Sequence, residues 1–265
     1  MRELRVRRAR RAAQHLLRRW GIEHDKPVPG EKLARARRLD VIDGPLEGAL
    51  ARLARVGRGG TIRLSDRHDH PGQRRFSLAH ELGHFELAHD HAIDLCEASD
   101  FAATDKLGEV EANAFAAELL LPETALRRRC EVSPVTLEHV VEIANEYGTS
   151  PVATAIRFVE LTSERTAAVL SQNGAVRWAV RSESFWPEIR RGQRLMNWSL
   201  AHSFFARGQL ACDADAVDAS AWIDGSRLRG PAEIHECALA IPQLRAVLSL
   251  LWIPEACADL AYRRH

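Results

Sequence analysis

The sequence has little with which to cross-link or anchor itself. Its five cysteines (Cys96, Cys130, Cys212, Cys237 and Cys257) are odd in number, widely spaced over 265 residues and form no C-x-x-C pair. That excludes a disulfide framework and a thiolate-rich zinc site. No apolar run approaches the ~18 residues that span a bilayer; the densest lies between Ala246 and Ile253. The basic start has no apolar segment behind it and does not read as a secretory signal, so a cytoplasmic location is expected. Neither charge sign dominates: 37 Lys and Arg face 36 Asp and Glu, for a net charge of +1. No overall field therefore selects nucleic acid or a membrane surface. The only methionines are Met1 and Met196.

What is present is a chain long enough for two or three domains. Residues 1–24 carry eight arginines. Leu4, Ala12, Leu16, Leu17 and Trp20 can share one face of a helix there, leaving the basic face to solvent. Residues 31–38 resume a short helix. Gly57 to Gly60 form a turn, and Thr61 to Ser65 alternate with the period of a strand. Phe76 to His89 read as a helix with Ser77 as an early cap, and Glu109 to Leu121 as a second helix that Pro122 ends. Residues 136–161 read as two helices around Tyr147-Gly148-Thr149-Ser150, a helix-turn-helix outline. Asn173-Gly174 marks a hairpin, and five of the six tryptophans lie beyond residue 166. The expected organisation is a domain over 1–130, a helix-turn-helix segment over 131–163 and a C-terminal α+β domain over 164–265.

The chemistry concentrates in His80-Glu81-Leu82-Gly83-His84. Histidines four apart on a helix point the same way and can hold one metal ion. Glu81 is turned off that line and is suited to general-base work on water. Gly83 has no side chain and would let a second element approach closely. A third ligand is needed. The extended local pattern fails, because Leu87 stands where a glycine turn is required and Asp90 where a third histidine would be. The alternative is a carboxylate from the second helix: Glu109, Glu111 or Glu118. Glu111 is preferred, because its small neighbours Ala112, Ala114, Ala116 and Ala117 let that helix pack tightly. Glu118, and to a lesser degree Glu109, are expected on a solvated face. His89, Asp90, His91 and Asn113 are weaker candidates for ligation or support. The donor set fits zinc, and manganese or iron would accept it too.

Arg75 to His84, followed by Glu109 to Pro122 (EVEANAFAAELLLP), resembles the ImmA/IrrE family of metallopeptidases. The resemblance implies an α+β, zincin-like fold with zinc on His80, His84 and Glu111 and Glu81 as catalytic base. It extends to the helix-turn-helix segment and to a C-terminal domain that is GAF-like in IrrE-type members. It further implies a zinc-dependent endopeptidase that cleaves a helix-turn-helix (XRE-type) transcriptional repressor, and so derepresses a stress or mobile-element response. Substrate could add as a strand along Thr61, Ile62, Arg63 and Leu64. The competing readings are a non-proteolytic, metal-containing regulator that binds a repressor, and a DNA-binding regulator using 136–161. Glu138, Glu142, Glu146 and Glu160 against Arg157 alone speak against direct DNA binding.

Overall fold

The computed structural model describes residues 1–22, 26–89, 107–225, 228 and 232–257. Asp90, His91 and Cys96 lie outside them. The fold is mixed α+β, in two compact units: Met1–Ala125 with Ile143–Ala153, and Leu126–Glu142 with Thr154–His265.

The first unit opens with helix α1 (Arg2–Arg19). Its buried face is Ala9, Ala13, Leu16 and Leu17, while Leu4 is 67% and Trp20 45% exposed. The buried face is therefore narrower than the expected apolar face, which included both of these residues. Helix α2 (Gly30–Ala36) leads into strands β1 (Leu39–Asp43), β2 (Ala51–Val56) and β3 (Gly59–Leu64). The sheet order is β1-β3-β2, with β1 parallel and β2 antiparallel to β3. This corrects one expectation. Thr61, Ile62, Arg63 and Leu64 lie on the central strand, paired on both sides, so they have no free edge for an added strand. Among the described residues, β2 pairs only with β3.

Helix α3 (Pro71–Glu86) begins earlier than its apolar pattern suggests. Pro71 supplies a preset backbone at the first position, and the ring of His70 accepts the Gly72 N–H at 2.9 Å. Ser77, read as a cap, is inside the helix and bonded at 3.2 Å to His68. Helix α4 (Leu107–Leu120) packs against both α1 and α3.

Helix α5 spans Glu123–Cys130, α6 Leu137–Tyr147 and α7 Pro151–Leu161. The α6–α7 turn is built as its residues require: Gly148 takes a φ of 63° and Ser150 Oγ accepts the Ala153 N–H at 3.2 Å. These helices are divided between the two units, so the compact units do not follow boundaries at 130 and 163.

The second unit holds β4 (Thr166–Gln172), β5 (Ala175–Arg181), β6 (Ala214–Asp218), β7 (Glu233–Ile241) and β8 (Ala246–Trp252), in the order β5-β4-β8-β7-β6. Each neighbouring pair in this sheet is antiparallel. Asn173 and Gly174, at φ 53° and 72°, make the β4–β5 turn, the primed geometry that matches strand twist. Helix α8 (Leu200–Arg207) follows β5. Trp178, Trp222 and Trp252 are buried and Trp198 is exposed. Cys237 is buried, Cys257 partly buried and Cys212 exposed, all as free thiols.

Candidate metal centre

From Phe76 to His84 every residue of α3 is buried. A helix with no solvated face needs close neighbours on more than one side. One is α4. A Cβ at Gly83 would stand 3.0 Å from Phe115 Cδ1 and 3.2 Å from its Cβ, so the close approach expected at Gly83 is there. The other is β2. The Arg55 guanidinium donates to the carbonyls of His84 at 2.6 Å and Phe85 at 2.9 Å. A cation at a helix C-terminus satisfies carbonyls that have no partner within the helix. Arg37 adds a bond to Glu86 at 2.5 Å. Neither arginine carries a local sequence signal: Arg37 caps α2 and Arg55 lies on β2.

Packing α4 on α3 brings three donors together. His80 and His84 meet Nε2 to Nε2 at 3.0 Å. Glu109 places Oε2 3.1 Å from His80 Nε2 and Oε1 3.2 Å from His84 Nε2. All three residues are buried, and their donor atoms fall within 4.8 Å of one another. Donors held ~2.0–2.1 Å from zinc in a tetrahedron stand about 3.3 Å apart. The observed spacings fit that geometry with little movement. Two imidazole nitrogens and a carboxylate facing each other away from water are a costly arrangement unless a cation or protons lie between them. The donor set therefore suits a divalent metal.

The carboxylate in this cluster is Glu109, not the preferred Glu111. Glu109 and Asn113 are four apart on α4 and share the face toward α3: Asn113 Oδ1 stands 2.8 Å from His80 Nδ1. Glu111 is two positions on and turned by about 200°. It meets His89 Nε2 at 3.0 Å and the Arg5 guanidinium at 3.4 Å. Small neighbours showed that α4 packs closely, not which of its faces meets the histidines. Glu118 and Glu109, read as solvated, are 0% and 6% exposed. Glu118 is held by the Gln14 amide of α1 at 2.8 Å.

Glu81 stands beside the cluster and accepts the backbone N–H of Leu53 on β2. Burial raises its carboxyl above the ordinary range; the neighbouring histidines oppose that shift and Glu109 reinforces it. A carboxylate with a raised pKa is better matched to taking a proton near neutral pH. For His80, burial works against a charge, but the Glu109 hydrogen bond and the charge of Glu81 raise it overall. Thr61, Ile62, Arg63 and Leu64 contribute no donor to the cluster.

A family model described as peptidase M78, the IrrE N-terminal-like domain, matches residues 35–159. Among curated proteins none matches the chain. A solved structure described as a Mycobacterium tuberculosis transcriptional regulator is similar with a TM-score of 0.54 at 14% identity, covering 92% of this chain and 76% of that one. The likeness is one of fold.

Proposed function

We propose, from the match of residues 35–159 to the IrrE N-terminal-like peptidase model, that this chain is a metal-dependent endopeptidase, with zinc as the ion. His80, His84 and Glu109 would hold the ion, and Glu81 is the general base. The observation that carries this reading is the buried Glu81 carboxyl, with its raised pKa, beside a three-donor cluster. A bound divalent cation supplies Lewis acidity toward the scissile carbonyl. Glu81 takes the proton of the attacking water at its carboxylate and returns it to the departing amine. The Leu53 N–H holds that carboxylate in place, and Asn113 and the helix register hold His80. Substrate entry along the outer edge of β2 is supported by its pairing with β3 alone among the described residues and by its contact with Glu81. An extended peptide satisfies such an edge.

The substrate we assign is a helix-turn-helix, XRE-type transcriptional repressor, cleaved to switch on a stress or mobile-element response. This rests on the family. Direct DNA binding by the α6–α7 segment is disfavoured by burial: on α7, Arg157 is 0% exposed and Thr154, Ala155, Phe158 and Val159 are also buried. The free thiols of Cys130, Cys212, Cys237 and Cys257 support a cytoplasmic setting.

Co-expression with a candidate XRE-type repressor tests the assignment. Glu81→Gln should retain zinc at near one ion per chain and lose cleavage. A Glu81→Gln protein that still relieves repression would replace the peptidase with a non-catalytic, metal-bearing binder.

A further inference from the structure

We propose that Glu111 and His89 are positioning residues that act through His84, a reading that rests on the metal site proposed above. They form a file of hydrogen bonds behind the cluster. Glu111 Oε2 stands 3.0 Å from His89 Nε2, and His89 Nδ1 stands 3.0 Å from His84 Nδ1. With an ionised carboxylate at Glu111 and a neutral ring at His89, the groups allow one proton arrangement. An ionised carboxylate only accepts, so His89 Nε2 carries the hydrogen. In the neutral ring, His89 Nδ1 is then an acceptor, so His84 Nδ1 must donate to it. His84 Nε2 is left with its lone pair, aimed at Glu109 and His80. That is the tautomer a cation requires, and an outer carboxylate that fixes it also orients the ring and raises its basicity.

Several observations separate this from a plain tether between helices. Glu111 is 1% exposed, so water does not compete for its bonds. Its Oε1 is buried and has no hydrogen-bond partner among the described residues. An acceptor left in that state costs ~1–3 kcal/mol, and an apolar side chain would serve stability better. Arg5 Nη1 at 3.4 Å, on a side chain 47% exposed, supplies a positive charge beside Oε2. A single spatial order therefore runs from Arg5 through Glu111, His89 and His84 to the cluster.

The test is zinc affinity, measured by competition with a chromophoric chelator on the full chain, together with the visible spectrum of the cobalt-substituted protein. Glu111→Gln and His89→Leu should each weaken zinc binding ~10–100-fold, alter the cobalt spectrum and leave the metal-free thermal midpoint near that of wild type. Glu111→Asp should recover part of the affinity. Wild-type affinity and spectrum in both variants would overturn the file. Should a variant fail to fold, nitrogen NMR of the imidazoles in the unmodified protein decides the matter. It should show His84 protonated at Nδ1 and His89 at Nε2, and the opposite tautomers overturn the proposal. If His84→Ala leaves zinc binding untouched, it is the metal site that fails, and the imidazole tautomers still judge the file.

Discussion

Two buried glutamates on α4 show how far residue identity carries an argument. The H-E-x-x-H spacing places two histidines and a carboxylate on α3 because helix periodicity does so wherever the helix sits. Choosing between Glu109 and Glu111 needs the direction from which α3 arrives. That direction is set by α1 on the other side of α4, where Gln14 takes Glu118 and Arg5 takes Glu111. Nothing within 107–122 encodes those partners. The second unit has its own buried carboxylate, which local sequence also left unmarked. Glu236 is 0% exposed and accepts four donors: the backbone N–H groups of Leu200 and Ala201 at 2.9 and 3.0 Å, Trp222 Nε1 at 2.9 Å and Ser249 Oγ at 3.2 Å. An amide offers one oxygen and sets its NH2 against two of those donors. Glu236→Gln should therefore lower stability by about 1–3 kcal/mol per donor left unpaired, read by urea denaturation. Burial raises the Glu236 carboxyl above its ordinary range, against the pull of its four donors. The folded protein then keeps a proton that the unfolded chain has released. Its contribution to stability accordingly falls as pH rises from ~4.3 through the raised value. The variant should lose that slope, and an unchanged slope assigns it to another group.

Among elements, those with a local signal agree best with their sequence. The 148–151 turn, the Asn173-Gly174 hairpin and the helix that Pro122 ends are each fixed by backbone chemistry within a few residues. Strand pairing is not. Thr61 to Leu64 alternate as any half-buried strand does, and whether such a strand is central or at an edge depends on β1 and β2. Helix α7 illustrates the same limit, since its apolar composition suggested a structural role but not the burial of Arg157. The α3–α4 contact gives the clearest test at this scale. Alanine at Gly83 would gain ~1 kcal/mol of helix propensity. Its methyl would press on Phe115, which is 0% exposed, and overpacking costs about 1–3 kcal/mol. Gly83→Ala should lower the thermal midpoint, and adding Phe115→Leu should recover part of the loss. A midpoint that rises in the single variant refutes the close approach.

For the molecule as a whole, the second sheet begins at Thr166, and five of the six tryptophans lie beyond that residue. The exchange of α5, α6 and α7 between units was not legible, because amphipathic helices show that they pack and not on what. No helix among the described residues is long and apolar enough to cross a membrane. The metal site and the second sheet belong to different units, which gives ion removal a regional signature. A ligand that binds only the folded state stabilises it by ~2.7 kcal/mol at a hundredfold excess over Kd. With zinc bound at the proposed site, its removal by a chelator should speed amide hydrogen exchange in α3 and α4 and leave β4, β5, β7 and β8 as they were. Equal acceleration in both regions contradicts a site confined to the first unit.

The pairing of α1 with α4, sealed by a contact between Arg5 and Glu111 across 106 positions, has a consequence for biosynthesis. During translation the first helix emerges long before its partner exists, and α3 is complete before the carboxylates that face it. The centre assembles only once α4 has left the ribosome, so until then the growing chain holds the two histidines without their carboxylate.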